Sequence, residues 1–130
     1  MPKFSAVSLE RLAACDPQLQ ALFRQVIEHF DCRILEGHRG KEKQDAYFAD
    51  GLSKVQYPNS RHNALPSMAA DVAPCPINWN DTKRFYYFAG VVMGIAADMG
   101  IQVRWGGDWD RDTEVNDQTF MDLPHFEIVG

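Results

Sequence analysis

Two stretches of the chain repeat apolar residues every three or four positions, which is the spacing of one face of a helix. The first, PQLQALFRQVIEHF, follows Asp16 and opens with Pro17, so a capping residue precedes a helix-starting residue. The second covers about residues 82–99 and has Asn80 or Asp81 as its cap. The apolar positions expected to face the core are Leu19, Leu22, Phe23, Val26, Ile27 and Phe30 in the first helix and Phe85, Ala89, Val92, Met93 and Ala96 in the second.

Shorter patterns complete the expected elements. Ser8 is expected to cap a short helix, LERLAAC, and KEKQDAYFADG is expected to form a helix that stops at Gly51. Four segments have strand character, namely CRILEG, MAADVAP, GIQVRWGG and HFEIVG. Residues 52–68 predict a loop, and Gly90 and Gly94 are expected to let a neighbour approach the longest helix closely. Because helices come first and strands are mostly late and scattered, the fold class is α+β.

Composition and charge narrow the class of protein. A chain of 130 residues with 45% hydrophobic residues suits a single domain over residues 1–130. The net charge of -5 and the lack of a basic stripe argue against nucleic acid or an anionic membrane as a partner. Cys15, Cys32 and Cys75 form no C-x-x-C pair and are expected to be reduced thiols. The N-terminus lacks the apolar stretch of a signal peptide, so we expect a soluble protein made without an export signal. We also expect a monomer.

Two separated stretches carry candidate metal ligands. NSRHNALPSMAADVAP contains His62 and Asp71, and MDLPHFEIVG contains His125. Zinc accepts imidazole nitrogen and carboxylate oxygen, and a catalytic site uses three protein ligands and keeps one position open for water. The three residues could converge if the strands that carry Asp71 and His125 are neighbours in the sheet. Spacing alone leaves the alternative open, because a lone histidine is more often a surface residue and a D-x-x-H pair often occurs by chance.

Asp122 is the candidate general base. Pro124 disfavours the helical conformation at Leu123 and favours polyproline II geometry, in which residues i and i+3 return to the same side. Asp122 and His125 can therefore face one water molecule, while Glu127 shares the His125 side of the final strand. We expect burial or a neighbouring carboxylate, such as Glu127, to raise the pKa of Asp122.

These segments resemble a known family. The S-x-H…A-x-D pattern in NSRHNALPSMAADVAP and the D-x-x-H pattern in DLPHFEI are similar to motifs of zinc peptidases that cut bacterial cell-wall peptides. LEGHRGKEKQ resembles the upstream G-x-R…Q segment of that family, and RWGGDW resembles the segment before the last motif. The likeness runs in order from about residue 34 to the end of the chain. The family includes D-alanyl-D-alanine peptidases and phage L-alanyl-D-glutamate endopeptidases.

Departures from the general pattern favour the phage branch. Eight residues separate His62 from Asp71, more than in the D-alanyl-D-alanine members, and Pro66 and Ser67 replace the usual glycine. The base is Asp122 rather than glutamate, as in the phage enzymes. The resemblance implies an endolysin that consists of one catalytic domain without a wall-binding module. Such a protein would be made in the host cytoplasm and would act on the cell wall in the periplasm after release by a separate pore-forming protein.

The resemblance also assigns roles and a fold. It implies a small antiparallel sheet packed against several helices, with the zinc site on the sheet. It makes His62, Asp71 and His125 the zinc ligands, with Asp122 as catalytic base. Arg39 would hold the substrate carbonyl or a nearby carboxylate of the peptidoglycan stem peptide. The residues expected to contact substrate are Ser60, Gln44 and Arg39, whereas Lys54 and Arg61 are interpreted as solvated surface.

Several alternatives stay open at this point. A related carboxypeptidase could trim D-Ala-D-Ala at the stem-peptide terminus, a zinc-containing module could bind a partner without catalysis, and a phage structural domain could lack zinc altogether. The acidic loop 108–117 raises the question of Ca²⁺. It lacks the glycine and the final glutamate of an EF-hand, so a solvated acidic loop is the favoured interpretation. The oxygen side chains concerned are Asp108, Asp110, Asp112, Glu114, Asn116 and Asp117.

Overall fold

The computed structural model describes residues 2–116 and 121–129. Within these residues it contains four α-helices, four β-strands and one short 3-10 turn. The helices are α1 (Ala6–Ala13), α2 (Pro17–Ile27), α3 (Lys41–Ala49) and α4 (Thr82–Met99). The strands are β1 (Cys32–Glu36), β2 (Ala69–Pro74), β3 (Val103–Gly106) and β4 (Asp122–Ile128), and the 3-10 turn spans Arg61–Asn63.

The four strands form one antiparallel sheet in the order β1-β2-β4-β3. Strands β2 and β4, which lie 54 positions apart at Asp71 and His125, are central neighbours and pair these two residues directly. Helices α1, α2 and α4 pack against the sheet. The predicted α+β class with a small antiparallel sheet and several helices is therefore confirmed.

Local capping signals explain most helix starts. The Asp16 side chain accepts a hydrogen bond from the Gln18 N–H at 2.8 Å, and Asp81 caps α4 in the same manner, as predicted. The prediction for α1 was wrong, because Ser5 rather than Ser8 is the N-cap. Ser8 lies inside the helix and is buried, and its hydroxyl accepts a hydrogen bond from the Ile34 N–H at 3.1 Å. This bond joins α1 to β1.

The core lies between the helices and one face of the sheet. Phe23 of α2 and Phe88 of α4 both contact Phe126 of β4 edge-on, with ring centroids 5.6 and 6.2 Å apart. The predicted close approach at Gly90 and Gly94 was wrong, since both are exposed and a Cβ atom added to either would meet nothing within 4 Å. The apolar residues of α4 that are buried are Phe85, Phe88, Ala89, Val92 and Ala96.

Alternation along β2 and β4 gives the sheet two different faces. Val72 and Phe126 are fully buried in the core on the helical face. Asp71, His125 and Glu127 alternate with core residues and therefore project from the opposite face. On that side the 3-10 turn packs against β2, and Arg39 Nη2 lies 3.8 Å from Asp71 Oδ2. The sheet thus separates an apolar core from a polar cluster.

Two further expectations concern the cysteines and membranes. All three cysteines are free thiols, as predicted, and burial raises the pKa of Cys15 to about 11 and that of Cys32 to about 12. They therefore behave as small apolar groups with little thiolate character at neutral pH.

Among the described residues, no helix has both the length and the apolar character needed to cross a membrane.

Candidate active site

Three predicted ligands meet on the polar face of the sheet. The pairing of β2 with β4 sets Asp71 opposite His125, and the 3-10 turn brings His62 beside them. Asp71 Oδ1 lies 3.2 Å from His62 Nε2 and 3.3 Å from His125 Nδ1. One nitrogen or oxygen atom from each residue lies within 4.8 Å of the other two. This cluster could hold a metal ion.

Hydrogen bonds on the far side of each imidazole orient the rings. His62 Nδ1 lies 2.7 Å from the Gly37 carbonyl oxygen, which can only accept, so this nitrogen carries the proton. His125 Nε2 lies 2.8 Å from Glu127 Oε1, which fixes its proton likewise. In the neutral rings, His62 Nε2 and His125 Nδ1 therefore present lone pairs towards Asp71. This is the arrangement in which histidines bind a metal, so the residues fit one.

Gly37 is needed for the contact with His62. A Cβ atom at this position would lie 2.5 Å from the Arg11 carbonyl oxygen and 2.9 Å from Cys15 Sγ. Only glycine lets β1 end this close to α1. The end of β1 consequently sets the position of the carbonyl that orients His62.

Asp122 stands beside the cluster, as its spacing predicted. Its Oδ2 is 3.9 Å from His125 Nδ1, and its side chain is about one-third exposed. The conformation differs from the expected polyproline II stretch, because Asp122 already belongs to β4. Trp105 pairs with Phe126 whereas the next residue, Gly106, pairs with Asp122, so three residues of β4 are accommodated in a bulge. The bulge brings Asp122 and His125 to the same side.

The environment of Asp122 raises its pKa. Burial is the largest cause, and the neighbouring Asp71 carboxylate adds to it, while His125, His62 and Arg39 act in the opposite direction. The predicted upward shift and burial as its cause are confirmed, and the carboxylate that adds to the shift is Asp71 rather than Glu127. Glu127 instead contacts the nitrogen of His125 that faces away from Asp122. A bound cation would lower the pKa again.

Contacts between Asp71 and the two histidines shift the pKa values of Asp71 and His125. Burial acts to raise the pKa of Asp71, but both imidazoles hold it well below its ordinary value. Burial also acts to lower the pKa of His125, yet its hydrogen bonds to Asp71 and Glu127 raise that pKa to about 10. His125 therefore binds a proton strongly when no cation is bound. A metal ion bound there would replace this positive charge.

Arg39 is held by acceptors of the protein itself. Its Nε donates to Glu36 Oε1 at 3.0 Å and its Nη1 donates to Gln44 Oε1 at 2.9 Å. Nη2 lies 3.8 Å from Asp71 Oδ2 and also binds Glu36. Only 6% of the residue is exposed, although it borders the cleft into which the cluster opens. The guanidinium thus places a fixed positive charge behind the Asp71 carboxylate.

The cluster opens into a cleft of about 460 Å³. His62, Asp122 and His125 lie at its base, and the loop after α3 supplies one wall. Trp109 supplies part of another wall, with its ring 5.3 Å from the His125 ring. Ser60, Arg61 and Glu127 also line the cleft. An extended peptide could reach the cluster through this cleft.

Comparisons with known proteins agree with this geometry. The family model of the phage L-alanyl-D-glutamate peptidases matches residues 1–129. The chain belongs to this family. The L-alanyl-D-glutamate peptidase of Escherichia phage T5 is 29% identical over 135 residues, covering 98% of each chain. The crystal structure of the Serratia marcescens L-Ala D-Glu endopeptidase ChiX is similar with a TM-score of 0.78 and 28% identity, covering 98% of this chain and 90% of that chain.

Two residues that the family resemblance suggested as substrate contacts lie in different places. Ser60 lines the cleft, and its hydroxyl accepts a hydrogen bond from the His62 N–H at 3.2 Å. Gln44 is fully buried, and its amide nitrogen donates to Ser53 Oγ at 2.9 Å and to the Val55 carbonyl at 2.7 Å. Gln44 therefore connects Arg39 to the cleft wall from behind.

Two contacts at the cleft, made by Trp109 and Arg61, were not predicted from the sequence. Trp109 lies in the RWGGDW segment, but nothing in that segment indicated its contact with the His125 ring. Arg61 was interpreted as solvated surface, yet its Nε lies 3.5 Å from Glu127 Oε2 and its side chain is only 39% exposed. Both contacts depend on how distant segments meet in space. A local pattern carries no signal for them.

The acidic loop brings three of its carboxylates together. Oxygen atoms of Asp108, Asp110 and Asp112 lie within 4.8 Å of one another. Part of this order comes from backbone contacts, because Asp108 accepts from the Thr113 N–H at 2.9 Å and Asp112 accepts from the Glu114 N–H at 2.8 Å. Asp117 lies outside the described residues. The loop thus has the local hydrogen bonds of an ordinary acidic turn.

Proposed function

We propose that the chain is a zinc peptidase that hydrolyses the L-Ala–D-Glu bond of the peptidoglycan stem peptide. The observation that carries the proposal is the convergence of His62 Nε2, His125 Nδ1 and Asp71 Oδ1 at the base of a cleft beside Asp122. Membership in the family and the similarity to two L-Ala-D-Glu peptidases support the choice of bond.

The donor set favours zinc among biological metals. Two imidazole nitrogens and one carboxylate oxygen match the ligands of catalytic zinc, which keeps a further position for water or substrate. Sites for magnesium and calcium are usually built from oxygen alone. When bound, zinc would supply Lewis-acid activation of a water molecule and of the scissile carbonyl.

The protein's own groups would carry the proton transfers. Asp122, as general base, takes a proton from the attacking water and then passes it to the leaving amine of D-Glu. A raised pKa suits the second step, because an ordinary carboxylic acid is a poor donor at neutral pH. Arg39 contributes positive charge against the negative charge that develops on the carbonyl oxygen.

Ser60 and Gln44 take different parts in this proposal. Ser60 lines the cleft beside His62 and is available to contact the substrate backbone. Gln44 is fully buried, so its part is to position Arg39 and the cleft wall. We also propose that the protein acts as a monomeric catalytic domain that degrades the wall during host lysis, after passage from the host cytoplasm to the periplasm.

Digestion of purified peptidoglycan followed by mass spectrometry tests the proposal. The expected products are released stem peptides with D-Glu at the new N-terminus, and chelation should stop their formation until zinc is restored. Loss of single D-alanine residues would instead support the carboxypeptidase alternative. A zinc-loaded protein that binds but yields no product would support the non-catalytic alternative.

Calcium binding at the acidic loop is a separate proposal. Asp108, Asp110 and Asp112 could together contribute carboxylate oxygens to Ca²⁺. The measurement is the melting temperature of the zinc-loaded protein with and without calcium, with Asp110→Asn as the matched variant. A calcium-dependent rise in the wild type that the variant lacks would support a site. Identical melting curves would leave the loop as solvated surface.

A further inference from the structure

Two guanidinium groups share one carboxylate at the edge of the site. Arg61 Nε lies 3.5 Å and Arg104 Nη1 3.6 Å from Glu127 Oε2. The other oxygen of Glu127 is occupied by His125 at 2.8 Å. Glu127 is 6% exposed, so its charge is largely removed from water. Two positive charges therefore face one negative charge, and a surplus positive charge remains among these three groups.

Only one of the two arginines lines the cleft. Arg61 precedes His62 in the 3-10 turn, and its side chain is 39% exposed. Its distance of 3.5 Å from Glu127 exceeds the usual 2.7–3.2 Å of an N–H···O hydrogen bond, so this ion pair is loose. Arg104 comes from β3 and is not among the residues that line the cleft. Of these two arginines, Arg61 is therefore the one that places positive charge in the cleft.

The other arginine at the cleft is poorly placed to bind an additional anion. Arg39 is 6% exposed, and it already donates to Glu36 and Gln44. Turning it towards a ligand would break its hydrogen bonds to two buried acceptors, the carboxylate of Glu36, which would keep Lys43 as a cationic partner, and the amide oxygen of Gln44. Arg61 can contact a ligand without such a loss, because Glu127 keeps Arg104 and His125 as partners.

The substrate of the proposed function carries an anion near the bond that breaks. The leaving nitrogen belongs to D-Glu, and the carbon that bears this nitrogen also bears the α-carboxylate when the peptide continues through the side-chain carboxyl. A guanidinium binds a carboxylate with two parallel hydrogen bonds, a geometry that lysine cannot match. We propose that Arg61 recognises this α-carboxylate and thereby holds the leaving side of the substrate. The inference rests on the proposed peptidase function.

Two synthetic peptides distinguish this role. Both contain L-Ala–D-Glu extended through the side-chain carboxyl, and one carries an α-carboxamide in place of the α-carboxylate. The wild-type zinc-loaded protein should cleave the acid with a kcat/KM about tenfold above that of the amide, as expected for loss of one charge-assisted hydrogen bond. In Arg61→Gln this preference should disappear, mainly through a higher KM for the acid.

Arg104→Gln is the matched control. It removes a guanidinium that is equally close to Glu127 but does not line the cleft, so the preference for the acid should persist. Equal cleavage of both peptides by the wild type, or an unchanged preference in Arg61→Gln, would overturn the role of Arg61 while leaving the peptidase function intact. Cleavage of neither peptide by the wild type would overturn both.

Discussion

At the scale of single residues, the two imidazoles gain their orientation from different sources. The partner of His62 is a backbone carbonyl, that of Gly37, whereas the partner of His125 is the side chain of Glu127. Only the second can be removed by a substitution that leaves the backbone unchanged. Glu127 is therefore the residue through which the orientation of a proposed ligand can be tested.

We predict that Glu127→Leu weakens zinc binding by about 10–100-fold, the range seen when such partners of a metal-binding histidine are removed. The leucine side chain cannot accept the proton of His125 Nε2, so the ring loses its fixed orientation. Competition with a chromophoric chelator measures the affinity. Glu127→Gln serves as the control because its amide oxygen can still accept, and an equal loss in both variants would show that the charge rather than the hydrogen bond matters.

Asp122 is predicted to act on the reaction and not on the metal. Asp122→Asn should lower kcat by about 10²–10⁴-fold, since the amide cannot transfer the proton. Zinc content should stay at the wild-type level, because the three proposed ligands are unchanged. His125→Ala is the contrasting variant and should lose both zinc and activity. Undiminished peptidoglycan cleavage by Asp122→Asn would remove Asp122 from the mechanism.

Sequence patterns predicted the positions of the clustered residues but not their surroundings. The order of the S-x-H…A-x-D and D-x-x-H motifs was sufficient to name His62, Asp71 and His125 as one group. The burial of Arg39 between Glu36 and Gln44 could not be predicted, because a charged residue in a loop is normally exposed. Such burial is set by tertiary contacts, in which β1 supplies Glu36 and α3 supplies Gln44.

At the scale of secondary structure, the junction of β3 with the start of β4 positions Asp122. A Cβ atom at Gly106 would lie 2.0 Å from the Asp122 carbonyl oxygen and 2.8 Å from its carbonyl carbon. Since these are backbone atoms, no side-chain rotation relieves the contact. Glycine at this position thus allows the bulge to bring Asp122 towards His125.

We predict that Gly106→Ala costs about 1–3 kcal/mol of stability. We also expect it to lower the activity of the folded protein at temperatures well below its melting temperature. The reason is that the added methyl group displaces the strand that carries Asp122. Gly94→Ala is the matched control, because a Cβ atom there meets nothing within 4 Å on an exposed helical position. It should stabilise the protein by about 0.5–1 kcal/mol with activity unchanged. Thermal unfolding and peptidoglycan turbidity assays check both.

Element boundaries were predictable where one local signal dominated. Asp16 followed by Pro17 fixed the start of α2, and the apolar spacing fixed its buried face. At α1, Ser5 and Ser8 are both of the residue type that caps helices, and only the burial of Ser8 against β1 shows which of them does so. Gly90 and Gly94 misled the prediction because small residues on a helix are compatible with either close packing or exposure.

At the scale of the whole molecule, the sheet carries its charges on one face and its core on the other. Glu36, at the end of β1, accepts from Arg39 and pairs with Lys43 at 2.6 Å. Burial acts to raise the pKa of Glu36, but these two cations hold it below its ordinary value. At pH values between the lowered pKa of Glu36 in the folded protein and its ordinary value, the unfolded chain therefore binds more protons than the folded protein.

The sign of the pH dependence follows from that shift. A carboxyl whose folded pKa is lowered adds stability above its unfolded pKa and loses it as the pH falls through the folded value. We predict that Glu36→Gln destabilises the chelated protein by about 2–4 kcal/mol at pH 7, because Arg39 loses its closest ionic partner. The difference should shrink progressively as the pH falls below about 4.5. Urea unfolding from pH 7 to pH 3 measures it, and a constant difference would contradict the assignment.

The central claim is that one zinc ion, held by His62, Asp71 and His125, is required for cleavage of the stem peptide. The most direct measurement adds zinc stepwise to chelated protein and follows bound metal and peptidoglycan cleavage in the same samples. We expect activity to rise in proportion to bound zinc and to saturate at one ion per chain, with cleavage at L-Ala–D-Glu. Full activity in the metal-free protein, or saturation of zinc binding without cleavage, would contradict it.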